Sequence, residues 1–260
     1  MQTVRSKDGT PIAYAKSGQG RPLVLVHGTS ADHARWAPIL PELEKRYTVY
    51  AIDRRGRGGS GDAPDYAIER EFEDIACVVD AIGEPVYLMG HSYGAICSLE
   101  ASTRTKNVAK LVLYEPPIPS DVPIYPPGAI DRLQELLDAG DRVGVVTTFF
   151  IEVVRMPKHE LDMLQSLPNW GARVAAAHTL PRELRADDVY YFDPARFAGD
   201  RVPTLLLLGG DSPPFFKAAI EKVHAALPDS KVVVMPGQQH TAINTAPALY
   251  LREVQGFLGI

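Results

Sequence analysis

The sequence predicts an α/β fold: a mostly parallel sheet covered by helices, interrupted late in the chain by an inserted helical cap. Three observations predict it. Six short runs, at residues 22–26, 48–52, 86–89, 111–114, 204–208 and 232–235, are apolar without polar alternation, as strands buried on both faces are. Helical periodicities lie between them, and regular alternation of strand and helix gives a parallel sheet. About eighty residues after the fourth run carry no convincing buried strand, which is too long for an ordinary connection and demands structure of its own.

The chain opens with MQTVRSKDGTPIAYAKSG, which alternates like a strand hairpin about a Lys7-Asp8-Gly9 turn. Helical patterns follow the first apolar run at residues 34–46, precede the third at 68–83, and flank the last at 214–227 and 247–258. The long segment starts with the proline-rich EPPIPSDVPIYPPG and continues as helical stretches at 129–140, 142–154 and 158–167. The core is therefore assigned to residues 1–117 and 200–260, and the cap to 118–199. Tyr125, Phe149, Phe150, Met163 and Trp170 of the cap either pack it together or line a pocket over the strand tips, where ligands of open α/β sheets bind.

A domain of 260 residues buries about three quarters of its unfolded surface and needs no staples. With 45% hydrophobic and 23% charged residues the chain has an ordinary globular composition. Its net charge of −5 disfavours nucleic acid and anionic membrane as partners, both of which need a basic surface. A small molecule is the expected partner. Cys77 and Cys97 fall at apolar helix positions and read as small hydrophobes, neither catalytic nor bridged. There is no signal-like start and no run long enough to span a membrane, so a cytoplasmic location is expected. No group of His, Cys and acidic residues has ligand spacing, and neither a phosphate loop nor a dinucleotide glycine pattern follows an early strand. No metal or cofactor is expected.

The chemistry is carried by VYLMGHSYGAICSLEAS. Val86 to Met89 suit a buried strand, while Ala95, Ile96, Leu99 and Ala101 suit one helix face. The chain must turn sharply at Ser92, and Gly90 and Gly94 allow the close packing that such a turn requires. A hydroxyl on an exposed tip between strand and helix suits a nucleophile, but it needs a base, a group to orient that base, and donors for an oxyanion.

His240, on a loop after a late strand, is the candidate base. His224 falls within an amphipathic helix, His159 and His178 fall within the insertion, and His91 is expected to point the other way through the turn. Two carboxylates sit at late strand tips and could hold His240 in the correct tautomer: Asp211 after TLLLLGG, and Glu115 after KLVLY. The order Ser, Asp, His favours Asp211, with Glu115 as the alternative. The backbone N–H of Tyr93, at the positive end of a helix, and that of Thr29, reached through Gly28, are the candidate oxyanion donors.

With HGTS, DRRGRGGS, GHSYG, GGD and GQQH in this order, nearly the whole chain resembles the α/β-hydrolase superfamily, in particular its small members with a helical cap. The resemblance implies a doubly wound, eight-stranded sheet and a triad of Ser92, Asp211 and His240. It gives the Asp53-Arg54-Arg55-Gly56-Arg57-Gly58 loop a structural role. Relatives often carry the acid three residues after the strand-ending glycine; here Ser212 occupies that place and Asp211 lies one residue early, which keeps Glu115 open. The implied activity is a serine hydrolase, of the carboxylic ester hydrolase class, that cleaves a small, largely apolar ester, lactone or thioester through an acyl-enzyme on Ser92. The rivals are different bond chemistry on the same fold (C–C hydrolase, lyase or cofactor-free peroxidase), a ligand receptor with a vestigial triad, and a scaffold.

Overall fold

The computed structural model describes residues 1–199 and 201–259. Its sheet has eight strands: β1 (Gln2–Arg5), β2 (Pro11–Gly18), β3 (Arg21–Val26), β4 (Tyr47–Ile52), β5 (Val86–His91), β6 (Val108–Tyr114), β7 (Thr204–Gly209) and β8 (Ser230–Met235). They lie in the order β1-β2-β4-β3-β5-β6-β7-β8. The N-terminal hairpin supplies the antiparallel edge, β2 pairing antiparallel with β4, and every later pairing is parallel. The apolar runs occupy the middle of the sheet because both faces there are covered: all but Arg21 of β3 is buried, as are all of β5 and β7.

Two apolar layers enclose the sheet. One lies beneath α2 (Ile68–Ile82), α3 (Tyr93–Ser102) and α9 (Pro214–Ala226). The other lies beneath a 3-10 turn at His33–Trp36, the short α1 (Leu40–Leu43), α10 (Ala242–Thr245) and α11 (Pro247–Leu258). Where the sequence pattern at 34–46 suggests one helix, Pro38 and Pro41 divide it, since neither can donate to a preceding turn. Helix α2 ends on Gly83 at φ 80°, the left-handed cap that glycine adopts without strain.

The segment between β6 and β7 is helical: α4 (Ala129–Asp138), α5 (Arg142–Thr148), α6 (Lys158–Ser166), α7 (Trp170–Ala175) and α8 (Leu180–Asp188). At Phe149–Val153 the end of α5 widens into a π-turn. These helices have their own apolar cluster, built on Leu133, Val145, Phe149, Phe150, Leu161 and Leu180. Polar anchors tie them to the sheet. Arg54 of the loop after β4 donates to Glu71 of α2 through Nε and Nη2, both at 2.7 Å, and to Glu183 of α8 at 2.9 Å; Arg57 also pairs with Glu183. Asp53 is fully buried and accepts from His33 N–H and Gly59 N–H, each at 2.8 Å. Among the described residues no helix is long and apolar enough to cross a membrane.

Candidate active site

Ser92 stands between β5 and α3 at φ 57° and ψ −130°, a conformation that side-chain-bearing residues occupy only when their surroundings impose it. The two glycines make it possible. A Cβ on Gly94 would lie 2.3 Å from the His27 carbonyl oxygen and 2.5 Å from that of Val26; one on Gly90 would lie 2.5 Å from the Gly94 oxygen and 2.6 Å from Ala95 Cα. Strand β5, strand β3 and helix α3 thus meet backbone to backbone at the elbow. The Ser92 N–H donates to the Tyr114 carbonyl at 2.8 Å, fixing the turn to the end of β6.

His240 comes from the loop between β8 and α10 and is 7% exposed. Its Nδ1 lies 2.5 Å from Glu115 Oε2, and the other oxygen of Glu115 accepts the Gly209 N–H at 2.7 Å. Glu115 is fully buried at the tip of β6 with φ 47°. The structure thus brings Glu115, the alternative, to His240 and leaves the favoured Asp211 away from it. That residue is exposed in the turn after β7, where its backbone N–H donates to the Gln238 carbonyl at 2.9 Å. The reason is local: β7 ends at Gly209 with its amide already aimed at Glu115, and coming one residue early leaves Asp211 on the outside of the Gly210-Asp211-Ser212 turn. The imidazole slot is filled from the preceding strand tip.

The expectation for His91 is corrected. Its ring lies 4.5 Å from that of His240 and 5.0 Å from that of Tyr114, centroid to centroid, with Nε2 donating to the His240 carbonyl at 3.1 Å. Burial pushes its pKa well below the ordinary imidazole value, with the adjacent His240 adding to the effect, so His91 is a neutral brace. Phe216 of α9 stacks on His240 at 4.4 Å and 15°, and the Tyr114 hydroxyl donates to the Gln239 carbonyl. The histidine is thus held through its ring and through its backbone.

Thr29 and Tyr93 both border the space around Ser92. Gly28 abuts the elbow so closely that a Cβ there would lie 2.7 Å from Ser92 Cβ and 3.3 Å from its Oγ. Tyr93 is the first residue of α3, and an amide in the first turn has no acceptor within its own helix.

Two cavities, each of about 30 Å³, open on Ser92 and His240 and share Thr29, Phe149 and Val154 in their walls. One is aromatic, lined by Tyr125, Phe215 and Phe216 among others. The other is lined by Phe150, Met156 and Leu164 but also by Arg35 and Arg173. Of the cap residues expected at a pocket, Tyr125, Phe149 and Phe150 reach these cavities; Met163 and Trp170 pack at the edge of the cap cluster. The two arginines were not legible in the sequence. Arg35 sits in a short turn and Arg173 in a six-residue helix, with no motif around either.

A hydroxyl on a strained tip and an imidazole held by a buried carboxylate make an arrangement suited to nucleophilic attack on a carbonyl. Among the described residues no group of three His, Cys, Asp or Glu is placed to hold a metal ion. Comparison with known proteins points the same way. A profile described as "Alpha/beta hydrolase family" matches residues 23–253. The crystal structure of an alpha/beta hydrolase from Sphaerobacter thermophilus superposes with a TM-score of 0.86 at 38% identity, covering 99% of this chain and 100% of that one. The 2-(acetamidomethylene)succinate hydrolase of Mesorhizobium japonicum is 26% identical over 94% of this chain and 90% of its own length. A non-heme haloperoxidase of Rhodococcus erythropolis is 28% identical over 92% and 93%, respectively.

Proposed function

The chain belongs to the alpha/beta hydrolase family, and from that premise we propose that it is a serine hydrolase acting on a small-molecule acyl substrate. Ser92 attacks the carbonyl carbon, His240 takes its proton and returns it to the leaving group, and Glu115 holds the imidazole and stabilises its cationic form. The tetrahedral oxyanion is bound by the N–H groups of Thr29 and Tyr93. Water then hydrolyses the acyl-enzyme with His240 as the base, regenerating Ser92. The observation that carries this reading is the buried contact between His240 Nδ1 and Glu115 at 2.5 Å, next to a serine held in a strained elbow. Esters, lactones and thioesters fit the site's chemistry, and the helical segment at residues 118–199 serves as the cap that closes over them.

A second reading keeps the fold and changes the bond, and it is favoured by relatives named as a 2-(acetamidomethylene)succinate hydrolase and a haloperoxidase. Stopped-flow hydrolysis of p-nitrophenyl acetate decides between them. An initial burst of p-nitrophenolate equal to the enzyme concentration, absent from Ser92→Ala, supports the acyl-enzyme. Turnover that survives in Ser92→Ala, or steady release of product without acylation of Ser92, contradicts it.

A further inference from the structure

Among the described residues five arginines are buried: Arg35, Arg54, Arg55, Arg57 and Arg173. Three of them meet carboxylates. Arg54 is held by Glu71 and Glu183, Arg57 by Glu183, and Arg55 by Asp74 at 2.7 Å and Asp8 at 3.0 Å. Arg35 and Arg173 meet none within 4 Å among the described residues, although they are only 4% and 5% exposed. Arg35 Nη1 donates to the side-chain oxygen of Asn244 at 2.5 Å, and Arg173 Nη1 to the Ser30 carbonyl at 2.9 Å. The Nε of Arg173 is buried with no acceptor. Asp32 acts on Arg173 only from beyond ion-pair distance, and a guanidinium taken out of water without a carboxylate in contact is costly and is kept only where something else requires it. Both of these line the cavity that contains Ser92 and His240.

We infer that Arg35 and Arg173 form a carboxylate-binding subsite beside Ser92, so that the substrate is an acyl compound bearing a free carboxylate. The claim rests on the hydrolase reading for what that carboxylate is attached to, and it revises the expectation of a largely apolar substrate. The geometry suits the task. Arg35 comes from the core, in the turn after β3, and Arg173 from α7 of the cap, so one anion between them joins the two parts of the molecule. Burial, and for Arg173 the repulsion of Arg35, lower both pKa values, to about 10 and about 9. Both side chains therefore remain cationic at neutral pH and repel each other until an anion arrives. They also face a third cavity, of about 170 Å³, between the core and the cap. Planar guanidinium forks match a carboxylate better than any neutral group, while Phe149, Phe150 and Leu164 accept the hydrocarbon that links it to the scissile carbonyl.

The test compares kcat/KM for p-nitrophenyl hydrogen glutarate and for p-nitrophenyl methyl glutarate, which differ only in the remote charge. The wild type is expected to prefer the free acid by at least about tenfold. Arg173→Met and Arg35→Met are each expected to cut that ratio about 10- to 100-fold, the loss of one charge-assisted hydrogen-bonding group. Arg185→Gln, an exposed cap arginine, leaves the ratio unchanged. A wild-type preference for the methyl ester, or a ratio untouched in both Met variants, overturns the subsite. Should a Met variant fail to fold, Arg173→Lys is read the same way, with a smaller fall in the ratio expected and no change refuting. If neither ester is hydrolysed, the hydrolase reading has failed and the subsite is judged by binding alone. Glutarate then raises the wild-type melting temperature above that in sodium chloride of equal ionic strength, and the absence of such a rise refutes it.

Discussion

Replacing Glu115 by Gln separates the orienting role from mere packing, because the surrounding donors dictate how the new amide must lie. Glu115 Oε1 receives the Gly209 N–H at 2.7 Å and Oε2 faces His240 Nδ1 at 2.5 Å. In Glu115→Gln the amide oxygen stays on the Gly209 side, since an NH2 there would oppose a backbone donor. The NH2 is therefore turned to His240, where it donates to Nδ1 and drives the ring proton to Nε2. That tautomer cannot accept the Ser92 proton. The equivalent amide substitution in a serine protease triad costs about 10⁴ in kcat, or about 5 kcal/mol of transition-state stabilisation. The same order is expected here for p-nitrophenyl ester hydrolysis, with the fold retained by circular dichroism and glycine at 209 still paired. Asp211→Asn, in an exposed turn, is expected to change kcat less than about twofold, as surface substitutions do. A folded Glu115→Gln enzyme that keeps more than a tenth of its activity, or an Asp211→Asn enzyme that loses it, refutes the assignment.

Four further outcomes concern stability. Gly94→Ala places a methyl 2.3 Å from the His27 carbonyl oxygen and is expected to cost about 3 kcal/mol or more in urea unfolding. Gly256→Ala in α11, with nothing within 4 Å, should gain about 0.5–1 kcal/mol. Glu183→Gln weakens the buried pairs with Arg54 and Arg57 and is expected to lower stability by about 3–5 kcal/mol in the same assay. Burial raises the Asp187 carboxyl to about 8, against the hydrogen bond it accepts from Tyr125. The native state thus holds a proton that the unfolded chain releases from about pH 4 upward, so this group's contribution falls as pH rises from about 4 to about 8, by on the order of 5 kcal/mol. Asp187→Asn removes that slope, and melting curves of both proteins across this range measure the difference.

The sheet was readable because its central strands are buried on both faces, which forces continuous apolar runs such as those at residues 204–208 and 86–89. The elbow was readable for a similar reason: Gly90 and Gly94 record a backbone contact that allows no Cβ. Helix α8 was harder to see, because a segment such as LPRELRADD buries Glu183 and Asp187 as well as leucines and so shows a weak apolar stripe. The choice between Asp211 and Glu115 turns on how a three-residue turn after β7 folds and on where the Gly209 amide points, neither of which any local pattern encodes. Chain order pointed to Asp211, whereas the carboxylate that meets His240 is Glu115. Arg35 and Arg173 lie 138 positions apart in sequence, and each looks like a surface charge until the chain folds them into one cavity.

Intact mass after exposure to a fluorophosphonate tests the central claim most directly, because the reagent labels a serine only where a base and an oxyanion site activate it. A single adduct on the wild type, carried by the peptide containing Ser92, absent from Ser92→Ala and strongly slowed in Glu115→Gln, is the predicted result. An unlabelled wild-type protein that is folded, or an adduct that persists in Ser92→Ala, would contradict it.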